Sequence, residues 1–404
     1  MRPLLSGHTV ELLEGGGAFF AALIDAIDAS RTEVRLETYI FSFDVSGEAV
    51  AGALVRAAQR GVAVFLVMDG IGTPQVPQEW VQRFDQVGLH WHRFSPLGRL
   101  GLLMPGRWRR MHRKLCEVDG RVAFCGGINI LDDFWDPAVG VLESPRYDFA
   151  VRVCGPLVAH VQAAMVQFWA RLQATRNLEK FRFQNARRAF LGMVGQQKLV
   201  LPAARDGTLD AGCKIIAGLV LRDNLRNRNS IEKAYRKAIG EARQEVLIAN
   251  AYFVPGAKVR RALIDAAGRG VRVRLLLHGS YEYFMQYHAA RPFYGALLAA
   301  GVEIHEYKPG FLHAKVAVVD GHWATVGSSN LDPLSLQLAR EANVVVNNVE
   351  FAHTLRNRLE LAIERSGHCL DPKTYAARPW RQRLLDQLAF GLMRLMLFIT
   401  GRRY

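Results

Sequence analysis

The sequence predicts an α/β protein built by tandem duplication of one unit. Its mostly parallel sheet is flanked by helices, and its two halves are related by a pseudo-two-fold axis. Three observations predict this. Short apolar and β-branched runs alternate with amphipathic helical segments. The order of those segments returns in the second half. And His112, Lys114, Asp119 and Asn129 recur as His313, Lys315, Asp320 and Asn330, since 313 − 112, 315 − 114, 320 − 119 and 330 − 129 all equal 201.

The elements follow in order. Ala18 to Ala29 sets Phe19, Phe20, Leu23, Ile24 and Ile27 on one helical face. Glu33 to Phe43 is rich in β-branched and aromatic residues and reads as a strand. Val45-Ser46-Gly47-Glu48 reads as a turn into a helix that Gly61 stops. Val62 to Met68 is apolar throughout and of strand length, as suits a strand covered on both faces. In the second half, Ile231 to Ala242 is a helix, Glu245 to Phe253 a strand, Lys258 to Arg269 a helix stopped by Gly270, and Val271 to Leu277 a buried strand. Ala57-Ala58-Gln59-Arg60-Gly61-Val62 matches Ala266-Ala267-Gly268-Arg269-Gly270-Val271 in place and kind. Two similar units in one chain pack about a dyad because such an interface is self-complementary. The expected divisions are a first domain over 1–175, a linker over 176–212 that starts basic, a second domain over 213–370, and a tail over 371–404.

The 404 residues carry a formal charge of +15, which favours anionic partners: an anionic phospholipid membrane, phosphate-bearing substrates or nucleic acid. Half the residues are hydrophobic, which excludes a disordered chain. Five cysteines, without a CxxC pair, read as buried reduced thiols of a cytosolic protein. Met1 to Val10 lacks the apolar core of a secretory signal, and no long uncharged apolar run marks a transmembrane helix.

The repeated unit makes half a site. Asp119-Gly120 suits a type I′ hairpin turn. A two-residue turn would pair Val118 with Arg121, face Lys114 to Cys125 and His112 to Gly127, and bring Asn129 back beside them. The second copy would face His313 to Ser328, with Asn330 just beyond. Lysine offers a point charge and asparagine neutral donors to a phosphate, and histidine can be a nucleophile or a general acid or base. Two such units face to face would set one phosphorus between two imidazoles, in one active site at the domain interface. One histidine attacks in line and the other protonates the leaving oxygen, with no metal or other cofactor called for. The turn position argues for a structural role for Asp119 and Asp320, with orientation of a catalytic side chain as the alternative.

The paired His-x-Lys-x4-Asp motifs, followed by Gly126-Gly127-Ile128-Asn129 and Gly327-Ser328-Ser329-Asn330, resemble those of the phospholipase D superfamily, from about Val10 to about Cys369. More narrowly, Glu37-Thr38-Tyr39-Ile40-Phe41, Arg109 through Lys114, Tyr147 through Arg152 with Gly155-Pro156, and Arg340-Glu341-Ala342-Asn343 resemble the short type of bacterial cardiolipin synthase. The resemblance implies a duplicated phospholipase D-like fold and phosphatidyl transfer between phospholipids through a phosphohistidine. Phosphatidylglycerol would be the acceptor, and phosphatidylglycerol or phosphatidylethanolamine the donor. It implies His112, Lys114, Asp119, His313, Lys315 and Asp320 as catalytic residues, with His112 the nucleophile and His313 the acid/base. Asn129, Ser328, Asn330 and Glu341 would bind substrate. Asp148 is the nearest first-half counterpart of Glu341, and Gly127 stands where the second copy has Ser328.

Two stretches bear on the substrate. Leu97 to Arg110 mixes bulky apolar residues with arginines and runs into His112, as a loop entering a lipid headgroup region would. In the tail, Leu384, Leu385, Leu388, Leu392, Leu395, Met396 and Ile399 recur at helical spacing among arginines, as in a helix lying in an anionic membrane interface. These place the protein peripherally on the cytoplasmic side of the cell inner membrane, with nucleic acid the less favoured partner. A helix docked on the protein's own core and a short transmembrane anchor are the alternatives for the tail. A nuclease of the same superfamily, a hydrolytic phospholipase D and a non-catalytic binding module are the alternatives for the whole chain.

Overall fold

The computed structural model describes residues 3–96, 108–136, 140–179, 215–223, 227–279, 284–332, 338–366 and 368–399. One sheet runs through the molecule, and it reads the same outward from a central seam. The seam is the antiparallel pair Leu5–Glu14 and Ile215–Arg222. From the first of these the order is Phe149–Cys154, Val122–Gly126, Lys114–Val118, Glu33–Thr38, Ala63–Asp69 and His90–Phe94. From the second it is Ala339–Asn347, Trp323–Gly327, Lys315–Val319, Glu245–Asn250, Arg272–His278 and Glu303–Tyr307. The duplication expected from the sequence is therefore a symmetry of the sheet.

The sheet is mixed, and its parallel part is narrower than expected. In each half the three outermost strands are parallel. From there to the seam every pair is antiparallel. The reason lies in the connections: helices cross between the outer strands, whereas the His-Lys hairpins close through tight turns, which only antiparallel strands permit. Leu5–Glu14 escaped the sequence reading because it is polar and only partly buried along most of its length.

The helices fall close to their expected places, at Gly15–Asp28, Val45–Gln59, Ser230–Glu241 and Ala257–Gly268. Val45 to Glu48 is the first turn of a helix rather than a turn before it. The Asp44 side chain accepts the Gly47 N–H at 2.9 Å and caps that end. Helix Leu157–Glu179 runs past the expected start of the linker, whose remaining residues lie outside the described residues.

The halves share one core. Leu115, Phe149 and Val151 of the first pack with Val316, Ala342 and Val344 of the second, beneath Val161 and Met165 of one helix and Leu355 and Leu359 of Val349–Ser366. Burying each such side chain contributes roughly 1.5–3 kcal/mol, so the halves hold together through their cores as well as through the seam. The thiols of Cys116 and Cys125 are buried as expected; Cys154 is partly exposed and Cys369 exposed, and Cys213 lies outside the described residues.

The tail helix, Trp380–Ile399, docks on the protein with one face and leaves an apolar face exposed on the other. One face docks on helix Phe284–Ala299: Phe390 meets Phe293 edge-on at 4.9 Å, and buried Asp386 takes His288 at 2.6 Å and Arg378 at 3.0 Å. The other face leaves Leu384, Leu388, Leu392 and Leu395 about half exposed or more. No helix of the described residues is long and apolar enough to cross a membrane.

Candidate active site

The two hairpins carry the site. Asp119 and Gly120 take left-handed φ values of 55° and 68°, and Asp320 and Gly321 take 49° and 62°, as the type I′ turn requires. The ladder beyond is shifted by one residue from the expected register. Val118 pairs with Val122, not Arg121, and Lys114 faces Gly126, not Cys125. Likewise Val319 pairs with Trp323 in the second copy, so Ser328 is not opposite His313. Arg121 and His322 each add one unpaired residue after the turn.

Both turn aspartates, expected among the catalytic residues, are engaged at the hairpin tips, at the opposite end from the histidines. Asp119 accepts the backbone N–H groups of Arg31, Thr32 and Glu33 at 2.8, 2.8 and 2.9 Å. Asp320 does the same for Arg243, Gln244 and Glu245 at 2.9, 2.8 and 2.9 Å. Each carboxylate ties the hairpin tip to the start of the neighbouring parallel strand. Partial burial works against ionisation at both sites, yet these N–H groups hold both carboxyls below their ordinary range.

At the other end the halves interlock. His112 Nδ1 lies 2.9 Å from Glu341 Oε1, and its backbone N–H donates to Arg340 O at 3.0 Å. His313 Nδ1 lies 2.6 Å from Asp148 Oδ2, and its backbone N–H donates to Tyr147 O at 2.9 Å. Each histidine is thus held by the acid, and by the carbonyl preceding that acid, of the opposite half. Asp148 and Glu341 are equivalents: Gly127 N–H bonds to the carbonyl after the first at 2.9 Å, and Ser328 N–H to the carbonyl after the second at 3.0 Å. A carboxylate only accepts, so it fixes the proton on Nδ1 and leaves the Nε2 lone pair free.

The same geometry explains Gly127. A Cβ there would stand 2.3 Å from Asp148 Oδ1. In the second half the longer Glu341 leaves room for Ser328, whose hydroxyl donates to Glu341 Oε2 at 2.5 Å. Gly127 with Asp148, and Ser328 with Glu341, are two solutions to one packing problem. Glu341 and Ser328, both expected to bind substrate, are instead fully buried and committed to each other and to His112.

Each lysine donates to the carbonyl of its own histidine: Lys114 Nζ to His112 O at 2.8 Å, and Lys315 Nζ to His313 O. Burial, then the like charge of Lys315, pushes the Lys114 ammonium down to about 7. Burial pushes Lys315 down to about 8, against the pull of Asp148 and Glu341. Burial also lowers His112, with Glu341 pulling upward, and lowers His313 well below its ordinary value, with both lysines adding to the effect. Asp148 is raised to about 6 by burial despite Lys315. Two buried lysines and two imidazoles that perturb one another's charge are a ready receptor for an anion. Asn129 and Asn330 are buried just past the hairpins, and Asn129 Oδ1 accepts the Ile40 N–H at 3.1 Å, which leaves its NH2 as donor.

Sequence reasoning missed three supports. Asp69 accepts the Met111 N–H at 2.8 Å and binds Arg110 at 3.0 Å, fixing the approach to His112. Its equivalent, His278, accepts the Leu312 N–H at 3.2 Å. Tyr39 sets its ring 4.9 Å from His112 and lies under Lys114; it stood in a motif already singled out, but no spacing rule tied it to the histidine. The described part of Leu97 to Arg110 begins at Trp108, so the expected headgroup loop lies outside the described residues.

Comparison with known proteins places both halves in one family. The family described as cardiolipin synthase, PLD-like domain, matches residues 23–138 and 235–362, once in each half. Cardiolipin synthase B of Escherichia coli K12 is 36% identical over 388 residues, covering 96% of this chain and 88% of the relative. Cardiolipin synthase 1 of Bacillus anthracis is 27% identical, covering 89% of this chain and 67% of the relative. Among solved structures, phosphatidylserine synthase of Haemophilus influenzae superposes with a TM-score of 0.66 at 11% identity, covering 98% of this chain and 95% of that one, a likeness of fold. The chain belongs to the phospholipase D superfamily, as an enzyme of the cardiolipin synthase type.

Proposed function

We propose that the protein transfers a phosphatidyl group from one phospholipid to a hydroxyl of phosphatidylglycerol, making cardiolipin, with phosphatidylglycerol or phosphatidylethanolamine as donor. The observation that carries this is the crossed pairing of His112 with Glu341 and His313 with Asp148, because it leaves two Nε2 atoms to act on one phosphorus. In the first step His112 Nε2 bonds to phosphorus as the bond to the headgroup oxygen breaks, and His313 gives that oxygen its proton. In the second step His313 takes the proton of the incoming hydroxyl, whose oxygen displaces His112 from phosphorus. A phosphodiester anion between the lysines would raise their basicity and that of His313, so substrate binding itself would supply the proton the first step needs. Lys114, Lys315, Asn129 and Asn330 would stabilise charge on the non-bridging oxygens.

The exposed leucines of the tail helix, with the +15 charge, support a peripheral seat on the cytoplasmic face of the inner membrane. A nuclease reading draws on the basic groove of Lys233, Arg236, Lys237, Lys258, Arg260 and Arg261. Purified protein incubated with labelled phosphatidylglycerol vesicles, and in parallel with single-stranded DNA, decides between them. Cardiolipin by mass, absent with His112→Ala and with His313→Ala, is the expected result; DNA cleavage without a new lipid refutes the proposal.

A further inference from the structure

A cavity of about 90 Å³ lies between helix Leu157–Glu179 and strand Ile215–Arg222. Four arginines line it: Arg113, Arg171, Arg222 and Arg340. Arg113 and Arg222 are more than nine-tenths buried. Arg113 and Arg340 each set their guanidinium 4.9 Å from the centre of the same ring, Phe168. Among the described residues two acids stand against the four cations, and Arg222 Nη1 donates to Ala339 O. Glu37 is taken up by Arg113 at 2.5 and 3.0 Å, and Asp223 accepts from the backbone and side chain of Asn227 at 3.1 and 3.0 Å. Among the described residues the cluster therefore holds more cations than acids, and like charges held this close repel one another.

The Arg340 side chain makes no hydrogen bond or ion pair among the described residues; its guanidinium lies against the Phe168 ring. Burial, then Arg113 and Arg171, drives its guanidinium down to about 10. A buried cation cluster of this kind costs stability unless an anion fills it. The cavity has room for one tetrahedral oxyanion. Guanidinium forks match the paired oxygens of such an anion.

We infer that this cavity is a second anion site, separate from the histidine pair, that binds one phosphate group through Arg171 and Arg340, with Arg113 and Arg222 in its wall. It shares no lining residue with the active site, yet it touches its frame. Arg113 lies between His112 and Lys114, and Arg340 precedes Glu341 while its carbonyl accepts the His112 N–H. A phosphate here would steady the strand that carries Glu341.

The test is titration of the full chain with inorganic phosphate in a calorimeter, and with phosphatidylcholine vesicles doped with phosphatidic acid. The wild type, the Arg171→Gln/Arg340→Gln pair and a Lys114→Met/Lys315→Met pair are compared. The arginine pair is expected to lose one equivalent of phosphate that the lysine pair keeps. It should melt no lower than wild type in phosphate-free buffer, because repulsion is relieved. If the pair melts early, Arg171→Gln alone, at a half-exposed position, should weaken that equivalent at least tenfold. Loss of vesicle binding in the arginine pair assigns the phosphate to a lipid headgroup; loss of the free-phosphate equivalent alone assigns it to a soluble ion. Unchanged titrations in both arms, or no phosphate bound by the lysine pair, overturn the inference.

Discussion

The imidazole of His112 and the carboxylate of Glu341 meet at 2.9 Å across 229 positions of sequence, and His313 meets Asp148 at 2.6 Å in the mirror relationship. Neither half owns a complete histidine. Each supplies the ring of one and the acid of the other, so the enzyme works only as the pair.

Glu341→Gln keeps the shape and loses the fixed tautomer of His112. We expect kcat to fall by about 10²–10⁴, the usual worth of a positioned acid or base, with a smaller change in KM. Asp148→Asn should do the same through His313. Steady-state kinetics on phosphatidylglycerol vesicles measure both; a wild-type kcat in either variant would contradict the assigned roles.

Gly127→Ser alone should be inactive or unstable, because its Cβ would press on Asp148. Asp148→Glu alone should also be impaired. Combined, they rebuild the Ser328–Glu341 arrangement in the first half, and the double variant should regain at least tenfold over either single one. A double-mutant cycle reads the coupling, expected at about 1–3 kcal/mol; additive losses would show that the two sites do not share this space.

Asp119→Ala should lower stability by about 1 kcal/mol, the net worth of the exposed and half-buried strand-start hydrogen bonds it removes, and leave kcat and KM near wild type. The pH dependence has a definite sign. The folded carboxyl of Asp119 is held below its ordinary value, so its contribution is present above about pH 4 and is lost as pH falls through the folded value. Urea melts at pH 7 and pH 3 test this: the gap between wild type and variant should close in acid. A loss of activity with no loss of stability would return Asp119 to the catalytic group.

Leu388→Glu with Leu392→Glu changes the exposed face of the tail helix and not its docked face. Vesicle co-sedimentation should fall several-fold with the thermal midpoint unchanged. Undiminished binding would remove the tail from the membrane contact.

Much of this was legible in the sequence, for physical reasons. The paired motifs keep strict spacing because strand alternation and a tight turn leave no slack between His112, Lys114 and Asp119. The inner antiparallel strands were harder to read. Leu5–Glu14 is edge-like in composition, yet it holds the seam because it has a partner on each side. The one-residue shift after Asp119-Gly120 lay beyond a rule that counts two turn residues. The crossed acids were half visible: Glu341 and Asp148 stood out as candidates, but which histidine each serves is a property of how the halves dock, and no local pattern records it.

The central claim is that His112 carries the phosphatidyl group while His313 handles the proton. A phosphatidyl ester of p-nitrophenol needs no acid to leave, so His313→Ala should still load His112 and then stall, lacking the base for the second step. Rapid quenching and peptide mass analysis should find the phosphatidyl adduct on His112 in near-stoichiometric amount in that variant. No adduct, or an adduct on another residue, would contradict the account.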